Sequence, residues 1–202
     1  MADTSKYLQA ARQALQEKNY EDAKKYYEMV KLEDPTNAEA KIQYQYAKFE
    51  DCTNGQAYDC YTDYMNLVKY AVNNISASDM TVEEQIAFLS ELIDTNVNAL
   101  NSCCRAMNYI KTENDGTSAT INRLKRESIL FARDFGDAIE QKYKDSTEGM
   151  QAACKAWKSF VNRANGNAWV PKPDAEMIPT YVEKIQKIDP SFNFVAKKRG
   201  CF

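Results

Sequence analysis

Asp134, Asp137 and Glu140 recur at three-residue spacing within a stretch of helical pattern. That spacing sets three carboxylates on one helix face, as divalent-metal or acid–base chemistry requires, and the matching activity is that of a hydrolase or nuclease. Two facts weigh against it. Arg133, Lys142 and Lys144 stand beside the acids, and the chain contains no histidine. Without imidazole it lacks the commonest general base, the usual neutral zinc ligand and the usual switch near neutral pH. The face reads as a salt-bridged surface. Serine and cysteine nucleophiles meet the same obstacle, because a lysine base would have to be buried with its pKa depressed. Glu83-Glu84 reads as a helix start. Gly116 and Gly149 belong to no Gly-x-Gly or Gly-Lys-Thr loop, so no nucleotide cradle is visible. Lys197-Lys198-Arg199 is a cluster that an acidic partner or phosphates would meet, and as a terminal cluster it reads as a solvated tail. The expectation is a protein that is not an enzyme, with no cofactor and no metal.

The six cysteines, at 52, 60, 103, 104, 154 and 201, include no Cys-x-x-Cys pair. Cys60, Cys103 or Cys104, and Cys154 fall near apolar helix faces, where a thiol behaves as a small hydrophobe, so reduced core thiols are expected. A chain of 202 residues is long enough to bury a real core. Its 13 tyrosines outnumber 8 Phe and 2 Trp, and tyrosine suits both helix packing and wet interfaces. Residues 39–100 carry 10 acids and 3 bases, whereas 101–202 carry 12 acids and 17 bases. The asymmetry would let copies stack head to tail, yet it is too mild for a nucleic-acid footprint. No apolar run approaches a membrane span, and no secretory leader pattern follows Met1. A cytoplasmic protein is expected.

The elements that must position these residues all carry helical periodicity. Helices are expected over about 5–17 and 20–33, with Lys18-Asn19 as the turn and Asp34-Pro35 as the stop. A third begins near Asn37 and carries Ile42, Tyr46 and Phe49, and a fourth covers 56–74. Ser76 to Met80 interrupts the pattern. Thr81-Val82-Glu83-Glu84 is a capping box. It opens a helix of about seven turns, stopped by Asn114-Asp115-Gly116, and a partner of similar length follows over about 118–144. Equal lengths and a short loop predict an antiparallel pair. Gly136 inside the partner allows close approach or a slight bend. Helix seven covers about 146–164, Trp169 to Pro173 reads as an extended link, and a last helix reaches Ile188, starting in earnest near Pro179.

Tyr7, Ala10, Ala11, Tyr20, Ala23, Tyr27 and Pro35 resemble the 34-residue tetratricopeptide repeat (TPR) at its bulky, small, aromatic and closing positions. Val30 stands where the repeat usually has alanine. A copy 34 residues on keeps Ala57 and Tyr61 but has Gln45 and Lys69 at the small and proline positions. The chain is also similar to uncharacterised bacterial proteins that pair one such hairpin with a long-helix bundle and share the segment Phe135-Gly136-Asp137-Ala138-Ile139-Glu140. Gly200-Cys201-Phe202 resembles the start of a CFI-type C-terminal box, which implies a C-terminal part that is missing here. In the repeat family the first helices line a concave surface for a peptide or partner helix. Carried over, that surface is Ser5, Leu8, Arg12, Leu15 and Gln16, with Glu39, Ile42, Tyr46, Phe49 and Glu50. Leu8, Leu15, Ile42, Tyr46 and Phe49 could equally be covered by the long helices. The basic and asparagine clamp that repeats use for a terminal carboxylate is missing, with Arg12 alone.

The expected fold is all-α: TPR-like helical hairpins over 1–76, an antiparallel long-helix bundle over 77–190 packed on the first part, and a flexible tail over 191–202. The expected function is a non-catalytic protein–protein interaction scaffold or adaptor. The alternatives are a homo-oligomeric structural subunit, or a regulatory module of a longer protein. The partner is a protein or peptide, itself and its own missing C-terminal segment included, with no membrane and no nucleic acid.

Overall fold

The computed structural model describes residues 4–75, 80–110 and 116–197. The expected breaks at 76–79 and 114–115, together with Lys198, Arg199 and Gly200-Cys201-Phe202, lie outside the described residues. Among the described residues every regular element is helical and there is no strand. In chain order these are α1 (Thr4–Gln16), α2 (Tyr20–Glu33), α3 (Ala38–Glu50), α4 (Ala57–Val68), α5 (Ala71–Asn74), α6 (Val82–Tyr109), α7 (Thr117–Tyr143), α8 (Thr147–Ala164), α9 (Lys172–Glu176) and α10 (Ile178–Ile188). Contacts gather into two compact units. One comprises the residues up to 85 with those from 98 to the end of α6. The other comprises 86–97 with the residues from 116 onward.

In the first unit, α1, α2 and α3 stack as successive helix pairs. Small residues make the close crossing: Ala11, Ala23, Ala40 and Ala47 are fully buried, and Tyr27 and Val30 fill the space between them. Asn19 caps α2 through Asp22 N–H at 3.2 Å, and Asn37 caps α3 through Ala40 N–H at 2.9 Å. The α1–α2 turn closes through a 2.8 Å bond from Asn19 N–H to the Ala14 carbonyl. That bond needs Lys18 in the left-handed region, at φ 59°. Only glycine adopts this conformation without steric cost. Lys18→Gly is therefore expected to raise stability by about 0.5–1 kcal/mol, read as a higher midpoint in urea.

Two turns depart from the periodic pattern. The expected fourth helix stops at Val68, and α5 restarts at Ala71. Tyr70 N–H bonds three residues back to Leu67 at 3.2 Å, tightening the last turn and ending the run. Pro173 lies in the first turn of α9, so part of the expected extended link is helical. The last helix does start beside Pro179.

In the second unit α7 and α8 form an antiparallel hairpin about a three-residue turn, with Ser146 capping α8. Residues 86–97 of α6 join them through buried Asn96, whose Oδ1 accepts from the Ser128 hydroxyl at 2.9 Å, and Arg163 donates to the same hydroxyl oxygen at 2.9 Å. The Lys155 ammonium adds a bond to the Ser90 carbonyl at 2.9 Å and an ion pair with Asp94 at 2.7 Å. Helix α10 lies on α8 through Tyr181 and Ile185. Beyond it, residues 192–197 form no regular element.

Asp189 ends α10 and holds it to α8 by an ion pair with Lys158 at 2.6 Å. The hydrogen bond from Lys158, with a second from Ser191, lowers the Asp189 carboxyl from 3.8 to about 2. A depressed carboxylate contributes stability that is fully present above its unfolded value. It is lost as pH falls through the folded one. Carbon-detected NMR should find this carboxyl ionised down to about pH 2, and a midpoint near 3.8, its ordinary value, would show that the pair does not form.

Candidate functional site

The ten residues on the expected concave face all lie in the first unit, on α1 and α3. Ser5, Arg12 and Gln16 are exposed, while Leu8, Leu15, Tyr46 and Glu50 are half-buried. Glu39, Ile42 and Phe49 are buried. Helix α4 covers much of the α3 half. The Tyr46 and Tyr64 ring centroids are 5.5 Å apart, and Phe49 meets Tyr61 edge-on at 6.0 Å. Leu8 and Leu15 pack on the α1–α2 core from one side. The open part of the face therefore runs along α1.

Arg12 and Glu39 link the two helices. The guanidinium donates in a fork, Nε to Oε1 at 2.6 Å and Nη2 to Oε2 at 2.5 Å. The hydrogen bond to Glu39 holds the Arg12 pKa above its ordinary value, against a smaller loss from burial. The glutamate is inside and the arginine faces solvent, so this arginine is spent on orienting α1 against α3. Nothing in the spacing of residues 12 and 39 announced that pair. Ile42 lines a groove of about 300 Å3 in this unit, beside Leu67, Lys41, Asn73 and Asn74.

The three spaced carboxylates are split among different partners. Asp134 is exposed and pairs with Arg133 at 2.8 Å. Glu140 pairs with Lys184 at 2.6 Å. Asp137 accepts the Trp157 indole N–H at 3.0 Å and the Tyr181 hydroxyl at 2.5 Å, with Lys184 at 3.4 Å. Lys184 also lies 4.5 Å over the Trp157 ring. Burial lowers its pKa, but Glu140 and Asp137 more than offset this, so the ammonium stays charged. Arg133 reaches Asp174 as well, and its guanidinium is held charged despite burial. Among the described residues no group of three acids or thiols is arranged to hold a metal ion. The salt-bridged face expected from sequence is present, with Arg133 in its expected part. Its second cation, Lys184, comes from α10, and a cation contributed from 44 residues away leaves no local signal.

No family model matches this chain, and no curated protein or solved structure does. The segment Phe135 to Glu140 has its own physical account. A Cβ on Gly136 would stand 2.6 Å from the Trp157 ring, so glycine lets the indole lie against α7, and Asp137 then takes the indole proton. The motif builds the α7–α8–α10 core.

The described cysteines, Cys52, Cys60, Cys103, Cys104 and Cys154, carry free thiols, and all but Cys52 are buried. Burial, with Cys60 alongside, pushes Cys52 up to about 11. Burial pushes Cys103, whose thiol faces the Ala57 carbonyl at 3.6 Å, up to about 12. Thiols held so firmly protonated are poor nucleophiles. Among the described residues no helix is long and apolar enough to cross a membrane.

Proposed function

We propose that the chain is a non-catalytic interaction module whose first part is TPR-like and whose binding face runs along α1 through Ser5, Leu8, Arg12, Leu15 and Gln16. The observation that carries this reading is the stacking of α1, α2 and α3 through small residues, with one face of α1 left open. Consecutive helix pairs of this kind bury one side against the next pair and leave a surface for a partner. Support for the TPR comparison comes from its quoted positions: Ala11, Ala23 and Tyr27 are fully buried at the α1–α2 crossing. Leu8 and Leu15 offer apolar area, and Ser5 and Gln16 offer hydrogen-bonding groups around it, the mixture that protein interfaces use. A peptide or helix is the fitting partner. Free, protonated thiols accord with a reducing compartment such as the cytoplasm.

The test uses exposed positions that leave the core alone. Ser5→Arg with Gln16→Arg should abolish capture of partners by the full chain, while circular dichroism stays that of the unaltered protein. Capture that survives both changes would move binding off α1. Arg12 is a poor choice for such a test, because removing it strands Glu39 without its fork.

A further inference from the structure

A second groove, of about 300 Å3, lies in the other unit at the end of α8. Its floor is apolar, made by Ala164, Ala175, Ile178, Pro179, Phe194 and Ala196. The end of α8 gives one side, α9 and the first turn of α10 a second, and the segment 194–197 the third. One side chain fastens that third wall. The Asn165 amide donates to the Val195 carbonyl at 2.8 Å, and its oxygen accepts from the Lys197 N–H at 2.9 Å.

The charged groups on the lining are Lys172, Glu176 and Lys197. Glu176 reaches Lys172 at 3.7 Å across one helical turn, with both side chains well exposed. An exposed pair of this kind is weak and is readily exchanged for another anion. Among the described residues Lys197 forms no ion pair. An apolar slot whose charged groups are two lysines and one glutamate keeps a net positive charge and complements a ligand of the opposite build, an acyl chain ending in an anion. A volume of about 300 Å3 is at the small end of ligand grooves, which favours an acyl chain of medium length.

We propose that this groove binds a free medium-chain carboxylate, its acyl chain on the Ile178 and Phe194 floor and its carboxylate between Lys172 and Lys197. The site is separate from the α1 face and stands or falls independently of it. The full chain is titrated with decanoate, below the concentration at which it forms micelles, by calorimetry. The expected result is saturable one-to-one binding. Decylamine, of the same length and opposite charge, should bind at least about tenfold more weakly. So should decanoate to the Lys172→Glu, Lys197→Glu protein, in which both changes are at exposed positions. Ala196→Trp, also at an exposed position, should fill the slot and remove binding. Absence of saturable heat, equal binding of decylamine, or undiminished binding to either variant would overturn the proposal.

Discussion

Trp157→Ala is expected to cost about 3–5 kcal/mol of stability, the range for removing a large aromatic from a packed core. The indole is fully buried, donates to Asp137 and carries Lys184 on its face. Asp137 retains Tyr181 and Lys184 after the change, so most of the loss is packing. The neighbouring glycine supplies a sharper test. In an exposed helix Gly→Ala gains about 1 kcal/mol. At Gly136 the new methyl would meet the Trp157 ring at 2.6 Å and the Ala153 carbonyl at 3.1 Å. Overpacking of this kind costs about 1–3 kcal/mol, so Gly136→Ala should be destabilising on balance. With Trp157 already alanine the ring is gone, and the same change should become much less harmful. Urea unfolding followed by circular dichroism should therefore give a coupling of about 1–3 kcal/mol between the two positions. Additive effects would mean that the indole does not lie against α7.

In the first unit the largest loss is expected at Tyr27. It is fully buried among alanines, which bring little apolar area of their own. Tyr27→Ala should cost about 3–5 kcal/mol and open the α1–α2 pair. Hydrogen exchange is the suitable probe, because both tryptophans lie in the other unit and would not report on this one. Amides of α1 and α2 should lose protection together. Unchanged exchange rates there would show that the pair is held by something other than this side chain.

Periodicity alone was enough to place the long helices, because each buries one stripe and repeats it over many turns. The Thr81 capping box stands as read: Thr81 accepts from Glu84 N–H at 3.2 Å and Glu84 answers to Thr81 N–H at 2.8 Å. Short elements were harder to see. The stop after Val68 rests on one tightened turn, and nothing about Lys69 and Tyr70 as residue types demands it. Lys172–Glu176 is too short for periodicity to register. At the candidate site, Ser5, Arg12 and Gln16 are exposed on α1, while the sequence left the covering of Leu8 and Leu15 open. The covering of Ile42 and Phe49, the Arg12–Glu39 fork and the arrival of Lys184 at Asp137 depend on contacts between distant segments. Local spacing carries no record of such contacts. Gly136 was the exception: a glycine within an apolar helical stripe pointed to a close approach, and a tryptophan ring occupies it.

The claim that α1 presents the binding face is tested most directly by a photo-crosslinking amino acid placed at Gln16 in the full chain in cells. A second protein with the same group at exposed Lys125 of α7 serves as the control. The account predicts a discrete adduct from position 16, absent from position 125 and lost when Ser5 is changed to arginine. An adduct of twice the chain's mass would identify the partner as a second copy. Identical adducts from both positions, or none from position 16 while position 125 gives one, would contradict it.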